Sequence, residues 1–244
     1  MKIIGLSVVG VGEADRYLRH TLDEFKRLAD DVVICLNAKE GEGKKEEELI
    51  KRYGFWFYRD SREWGKFQPV IKTDLLARIM KLKPDWVLPL DADETFTEQL
   101  DRKALEELTD GKIGCYFYIV NLWDGPEYYH KGLSFWNIRF FKPKPEMGLQ
   151  YLKQPLHCGL APPYAYKFGT YVPYLVKHYG LMKSEDRLIK VARYEKYDPD
   201  ARYKSSFYYD ALKAVTKPAT YNEEALFGKI REEVGKMVHQ KRRE

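Results

Sequence analysis

The clearest signal of architecture is residues 86–94, which read Trp86-Val87-Leu88-Pro89-Leu90-Asp91-Ala92-Asp93-Glu94. A short apolar run, of the length typical of a buried strand, ends there in three carboxylates within four residues. So much negative charge at the rim of a core needs compensation, and a divalent cation is the simplest source of it. Because such a cation commonly holds a diphosphate, the stretch predicts an enzyme that acts on a nucleotide-activated substrate.

The bulk composition predicts one sizeable domain, since the chain has 244 residues and 44% of them are hydrophobic. Its 42 Lys and Arg and 37 Asp and Glu leave a small, dispersed net charge of +5, which argues against a nucleic-acid partner. That excess suits a polyanionic small molecule or an anionic membrane surface. Widely spaced cysteines, no leader-like N-terminus and no membrane-spanning run predict a cytoplasmic protein, peripheral at most to the inner face of the cell membrane.

The first hundred residues alternate apolar runs with helical stripes. The pattern predicts strands over 3–11, 32–36 and 55–58 and helices over 15–28, 46–53 and 70–82. Such alternation is typical of an α/β fold whose mainly parallel sheet is flanked by helices through right-handed crossovers. Ligands of these sheets bind beyond the carboxyl ends of the strands, where Asp91 and Asp93 lie.

The second half has a different texture, with many aromatic residues and prolines. Strands are predicted over 113–122 and 134–141, and the chain is helical again from Glu185. Near the end an apolar stripe recurs every fourth residue, at Leu226, Ile230, Val234 and Val238. Lysines and arginines accompany it, so this helix either packs on its own domain or lies on an anionic membrane.

The acidic motif itself points to magnesium or manganese. In an extended backbone residues two apart point the same way, so Asp91 and Asp93 are expected to converge on one cation. Carboxylates are hard ligands, and the lack of nearby Cys and His pairs argues against zinc. The alternative is that these carboxylates cap the following segment or face water.

Around this motif the chain resembles an inverting family 2 glycosyltransferase of the A-type fold, a Rossmann-like domain that uses a nucleotide sugar and a divalent metal. The resemblance covers residues 2 to about 200, and only the acidic motif is specific by itself. The segments that carry it are Val8-Val9 with Glu13, Asp31 to Asn37, Lys72 to Leu76, Asp85 to Glu94, Arg139 to Phe141, His178 to Gly180, and Arg193-Tyr194 with Asp198-Pro199.

The resemblance implies domain boundaries and site roles. It implies a transferase domain over 1–200, with a nucleotide-sugar half at 1–100 and an acceptor half at 101–182, and C-terminal helices over 183–244 packed on it. Mn²⁺ or Mg²⁺ would be held by Asp91, Asp93 and His178. The implied contacts to the nucleotide sugar are Val9, Glu13, Asn37, Lys72, Asp91, Ala92 and Arg139.

Several of these roles have plain alternatives. Lys72 and Arg139 balance the diphosphate charge or are solvated surface charges. His178 contacts the metal or a phosphate, or it is a satisfied core residue. Family members commonly carry Asp where this chain has Asn37, whose mixed donor and acceptor ends could suit a different nucleotide base.

The catalytic base is the least defined role. Several relatives have a His-Glu pair where this chain has His157-Cys158, and a thiol is a poor substitute for a carboxylate. The candidates considered instead are Asp124, Glu127, His157, Glu185 and Asp186. Asp124 is favoured because it lies in a turn-rich loop after a strand, whereas Glu185 and Asp186 are better explained as first-turn helix charges.

The expected function is therefore metal-dependent transfer of a sugar from a nucleotide-sugar donor to a hydroxyl-bearing glycan or lipid-linked acceptor, with inversion, in cell-surface glycan or glycolipid synthesis. One alternative is a catalytically degenerate protein that binds nucleotide sugars, favoured by Cys158 and the altered Asn37 segment. The other is a sugar nucleotidyltransferase, disfavoured because residues 10–13 lack the Lys or Arg of a basic glycine-rich loop.

Overall fold

The computed structural model describes residues 1–154, 156–202, 206–214 and 217–241. The strands of this part are β1 (Ile3–Gly10), β2 (Asp31–Asn37), β3 (Trp56–Asp60), β4 (Trp86–Pro89), β5 (Glu94–Phe96), β6 (Gly114–Asn121), β7 (Tyr128–Tyr129), β8 (Phe135–Phe141), β9 (Gly169–His178) and β10 (Ala219–Thr220). The α-helices are α1 (Leu18–Leu28), α2 (Lys44–Arg52), α3 (Trp64–Met80), α4 (Arg102–Glu107), α5 (Pro163–Lys167), α6 (Ser184–Tyr197), α7 (Ser206–Lys213) and α8 (Glu223–Lys241).

Eight strands form one mixed sheet in the order β3-β2-β1-β4-β8-β6-β9-β5. The β3-β2-β1-β4 half is parallel throughout, and β6 and β9 are also parallel. The antiparallel pairs are β4 with β8, β6 with β8, and β5 with β9. The predicted α/β class, with a mainly parallel mixed sheet flanked by helices, is confirmed.

The parallel half is built as the sequence pattern requires. The apolar stripe of α1, which includes Leu18, Leu22 and Phe25, is fully buried in the core beneath β1 and β2. A Cβ atom at Gly5 would come within 2.7 Å of the Phe25 ring, so the glycine lets α1 lie directly on β1. Because β1 and β4 are parallel neighbours, their carboxyl ends meet at one edge of the sheet.

One predicted helix had the wrong bounds, and one strand was missed. The helix predicted over 70–82 begins at Trp64 and ends at Met80, and Pro69 in its second turn hides the first residues from the sequence pattern. β9 was not predicted at all, since Pro173 and alternating aromatic residues obscure its pattern. The register between β6 and β9 shifts between Tyr116 and Tyr118, opposite Pro173, which has no N–H to donate to the ladder.

The C-terminal helix α8 packs on β6 and β9. Leu226, Ile230 and Val234 are buried against Val120 and Leu175. The Val238 side chain of the predicted stripe lies outside the described residues. The described part of the stripe thus faces the protein, and a membrane contact through α8 stays a prediction. None of the described helices is both long and apolar enough to span a bilayer.

Candidate functional site

The acidic stretch lies in a turn between β4 and β5, at the carboxyl edge of the parallel strands. The amide of Glu94 donates to the carbonyl of Asp91 at 3.2 Å. The expectation of an extended backbone here was wrong, and the turn sends the two Asp side chains in different directions. Asp91 faces Arg139, 4.0 Å from its Nη2, whereas Asp93 faces His178.

Asp93 packs tightly against the turn that follows β9. Its Oδ2 lies 3.4 Å from Nε2 of His178, and its carbonyl accepts the amide of Tyr179 at 2.8 Å. A side chain at Gly180 would overlap with the Asp93 carboxylate, so glycine alone leaves that carboxylate in place. The structure thus brings together Asp93 and His178, two of the three predicted metal ligands, through the pairing of β5 with β9.

The imidazole of His178 is oriented by a buried amide at the end of β6. Asn121 Nδ2 donates to the carbonyl of Leu133 at 2.5 Å, which leaves Asn121 Oδ1 to accept from His178 Nδ1. With Nδ1 of His178 donating to Asn121, its Nε2 is the nitrogen that faces the Asp93 carboxylate. Either a proton on Nε2 or a cation between the two groups satisfies both, so the pair can hold a metal ion.

The groups around Asp93 favour its ionised form, which is the form that binds a metal ion. Burial alone would raise the pKa of Asp93, but the interaction with His178 and then the charges of Lys190 and Arg16 hold it below its ordinary value. Across the described ranges of the chain, no three His, Cys, Asp or Glu side chains form a metal-binding group. Magnesium and manganese accept two protein ligands when waters and substrate phosphates complete the shell, so the donor set still suits them.

Arg139 is committed to a structural pair. Its Nε and Nη2 donate to the two carboxylate oxygens of Glu94, both at 2.6 Å, and both side chains are buried. A buried guanidinium needs a bidentate carboxylate to offset its lost hydration. Arg139 is therefore neither a solvated surface charge nor a free phosphate ligand, and it reaches the site only through its 4.0 Å approach to Asp91.

Asp91 and Lys72 line the other side of the turn. The Asp91 side chain is 43% exposed, yet desolvation and then the Glu94 carboxylate raise its pKa. Lys72 is 3% exposed, and its Nζ donates to the carbonyl of Gly159 at 2.6 Å beside the Trp64 ring. The Lys72 charge lowers the pKa of Asp91 and so opposes these two effects, and Lys72 forms no ion pair with another described residue.

Glu13 lies in a short 3₁₀ turn after β1 and is incompletely satisfied. Its Oε1 lies 3.1 Å from Arg16 Nη1, while its buried Oε2 has no hydrogen-bond partner among the described residues. Burial and then the Asp93 charge raise the pKa of Glu13 to about 7, against the opposing charges of Arg16, Arg193 and Lys190. The structure therefore brings Glu13 into the electrostatic neighbourhood of Asp93.

The remaining predicted nucleotide contacts lie along the same edge. Asn37 Nδ2 donates to the carbonyls of Asp60 and Arg62, each at 2.9 Å, so only its Oδ1 is left for a ligand. The expectation that Asn37 offers mixed donor and acceptor ends was wrong for this reason. Val9 and Ala92 are buried, and their side chains contribute to the core rather than to an open surface.

The four carboxylates considered as base have different surroundings. Asp124 is 47% exposed, has a positive φ of 58°, and pairs with Arg187 at 2.7 Å. Asp186 is buried and paired with Arg16 at 2.8 Å, which commits it to anchoring α6. Glu185 and Glu127 are both exposed.

Cys158 occupies a buried position on the Lys72 side of the site. Burial raises the pKa of its thiol, so the group is neutral and does not take protons at physiological pH. His157 Nε2 lies 3.3 Å from the hydroxyl of Tyr209. The His157-Cys158 pair thus supplies no ionised carboxylate.

Sequence reasoning missed three residues of this site. Asn121 orients His178, Gly180 makes room for Asp93, and Arg16 bridges Glu13 and Asp186. The sequence signals were weak: a polar residue ending an apolar strand, a glycine after a histidine, and one basic residue among many.

No family model matches the chain, and no curated protein matches it. Among solved structures it is similar to S. aureus TarS 1-349 in complex with UDP, at a TM-score of 0.46 and 9% identity over 87% of this chain and 69% of that chain. The chain spans 42% of a longer TarS structure.

Two further solved structures are similar at the same distant level. One is a protein from Desulfovibrio desulfuricans G20 described as a nucleotide-diphospho-sugar transferase, with a TM-score of 0.40 and 12% identity over 94% of this chain and 99% of that chain. The other is HddC from Yersinia pseudotuberculosis, with a TM-score of 0.44 and 11% identity over 78% of this chain and 97% of that chain. These likenesses concern the course of the backbone.

Proposed function

We propose that this protein is a metal-dependent glycosyltransferase that moves a sugar from a nucleotide-sugar donor to a hydroxyl acceptor, with inversion, in cell-surface glycan or glycolipid synthesis. The observation that carries the proposal is the Asp93–His178 pair at the carboxyl edge of the sheet, whose Oδ2 and Nε2 face each other at 3.4 Å. Asn121 turns the lone pair of His178 toward Asp93, as a metal ligand requires.

In this proposal Asp93 and His178 would hold Mn²⁺ or Mg²⁺, ions that accept few protein ligands when phosphate oxygens and water are available. When bound, the ion neutralises charge on the departing diphosphate. The buried Glu94–Arg139 pair keeps the turn rigid, so that Asp93 stays against His178. Gly180 leaves the space that the Asp93 carboxylate occupies.

The protein's other groups bind and orient the substrates. The accessible Asp91 carboxylate hydrogen-bonds a hydroxyl of the ribose or of the sugar, with Lys72 supplying positive charge beside it. Oδ1 of Asn37 accepts an N–H of the nucleotide base, because its amide nitrogen is already used twice.

Asp124 is proposed as the base that takes the acceptor proton. Its side chain is 47% exposed, and its amide donates to the carbonyl of Met182 at 2.8 Å, which places it beside the turn after β9. Arg187 fixes its orientation by a 2.7 Å ion pair. Asp186 is already occupied by Arg16 and by the Tyr17 hydroxyl.

A second candidate function is nucleotide-sugar binding without turnover. The neutral, buried Cys158 favours it, because relatives of the resembled family carry a carboxylate there. The oriented Asp93–His178 pair favours the enzyme, because a protein without turnover has less need of a fixed metal site.

The test is a thermal-shift screen of UDP-, GDP-, dTDP-, CMP- and ADP-sugars, each with and without Mn²⁺. We expect one nucleotide class to raise the melting temperature only with Mn²⁺, since ligands that bind only the native state stabilise it. Asp93→Asn should lose that shift. Asp110→Asn, which removes an exposed carboxylate elsewhere, should keep it.

Two results would contradict the proposal. Donor binding by Asp93→Asn equal to that of the parent would refute the metal site, and no shift with any donor would refute the donor site. Metal-dependent binding without release of the nucleoside diphosphate, in the presence or absence of acceptors, would instead identify the binding protein.

A further inference from the structure

Helix α6 begins beside the candidate site and is anchored at both ends. At its start, Asp186 pairs with Arg16 at 2.8 Å and accepts the Tyr17 hydroxyl at 3.1 Å, just after β1. At its end, the Tyr197 ring fills the space above Gly65, in the first turn of α3. The helix therefore spans from the carboxyl end of β1 to the amino end of α3.

Two cations lie on the inward face of α6 between these anchors. Lys190 and Arg193 follow Asp186 at helical spacings of four and seven residues and are half-buried, while Leu188 and Ile189 are exposed on the other face. The charges of both cations lower the pKa of Glu13, and that of Lys190 also lowers the pKa of Asp93. Within the described ranges, neither cation forms a hydrogen bond or an ion pair.

The carboxylate side of this gap is also unsatisfied. Glu13 Oε2 is buried without a hydrogen-bond partner among the described residues. The two cations thus lie near the carboxylates without pairing with any described residue, which leaves their charges for an anionic ligand. A ligand that fits must be anionic toward Lys190 and Arg193, and must tolerate Asp93 by sharing a metal ion with it.

We infer that Lys190 and Arg193 bind the diphosphate of the nucleotide-sugar donor, on the side opposite the Asp93–His178 pair. This inference rests on the proposed function and assigns the protein's own diphosphate ligands, a role that Arg139 cannot fill because Glu94 occupies it. α6 thereby closes the donor between a cationic helix face and the acidic turn.

The assignment gives α6 a part in the transfer step. The acceptor oxygen forms a bond to the anomeric carbon and gives its proton to the base, while the bond from that carbon to the diphosphate oxygen breaks. The electron pair of the broken bond stays on the diphosphate, whose negative charge rises by one. Lys190 and Arg193 face that developing charge, so they stabilise the leaving group more than the intact donor.

The probe that isolates this subsite is inorganic pyrophosphate premixed with an equal amount of Mn²⁺, because it needs no nucleotide base or sugar. Binding to the 244-residue chain is measured by titration calorimetry. Lys190→Met and Arg193→Met should each weaken binding about tenfold or more, the usual worth of a charge-assisted hydrogen bond. Lys190→Arg and Arg193→Lys, which keep the charge, should recover most of the affinity.

Lys229→Met is the matched control, since it removes an exposed lysine from α8. It should bind like the parent, and all variants should keep the parent's melting temperature. Parent-like affinity of Lys190→Met and Arg193→Met, with binding lost in Asp93→Asn, would overturn the assignment of α6 and leave the proposed function standing. No binding by the parent itself would overturn both.

Discussion

Two neighbouring carboxylates in one turn have opposite surroundings. Glu94 is fully enclosed and meets Arg139 through two 2.6 Å hydrogen bonds. Asp93, one residue earlier, meets His178 at 3.4 Å, a pairing too loose to complete either group. The first carboxylate holds the turn in place, and the second is left with capacity for a ligand. A dense acidic motif can thus contain one carboxylate that stabilises the fold and another that remains available to a ligand.

The largest effect is expected from breaking the architectural pair. Arg139→Met leaves the Glu94 carboxylate buried and uncompensated, which should lower the free energy of unfolding by about 3–5 kcal/mol. Urea unfolding measures it. The double variant Arg139→Met with Glu94→Leu should recover much of the loss, because no buried charge then remains. A loss below about 1 kcal/mol in the single variant would mean that the pair is not structural.

A third carboxylate, Glu13, extends the comparison because one of its oxygens has no partner. Burial and Asp93 raise its pKa from 4.5 to about 7, so the folded state binds its proton more tightly than the unfolded state does. The free energy of unfolding therefore falls as pH rises from about 4.5 to about 7, and stays lower above that.

Glu13→Gln remains neutral and imitates the protonated acid. At pH 8 its free energy of unfolding should exceed that of the parent by about 2–3 kcal/mol, and at pH 4.5 the two values should be similar. Denaturant unfolding at the two pH values checks this. Glu185→Gln, on the exposed face of α6, should show no such pH-dependent gain. An equal effect of Glu13→Gln at both pH values would show that Glu13 is not perturbed in this way.

The sequence could predict the strands β1 to β4, because each apolar run is bounded by turn residues and separated by a helical stripe. It also singled out Asp93 and His178 individually. Their adjacency could not be predicted, because it depends on pairing β5 with β9 across more than eighty residues, and Pro173 obscured β9. The residue types of the two proposed metal ligands could therefore be predicted from the sequence, but their adjacency could not.

The same limit explains the error over Arg139. A lone arginine in a strand could be a phosphate ligand or a surface charge. Only the fold shows that Arg139 contacts Glu94, which lies 45 residues earlier in the sequence. The turn at 91–94 was likewise hidden, because an apolar strand followed by acids gives no cue to where the extended backbone stops. Both features depend on contacts between residues that are far apart in the sequence.

The smallest effect expected is on the binding pair, and it is reached through Asn121. Asn121→Ala removes the acceptor of His178 Nδ1, so the imidazole is free to place its proton on Nε2 and point it at Asp93. Outer-shell partners of this kind are worth about 10–100-fold in metal affinity, so Mn²⁺ binding should weaken by that factor. Electron paramagnetic resonance of free Mn²⁺ in the presence of the donor measures it. Asn121→Asp, which keeps the acceptor, should retain most of the affinity, and equal loss in both variants would show that Asn121 supports the fold rather than the orientation of His178.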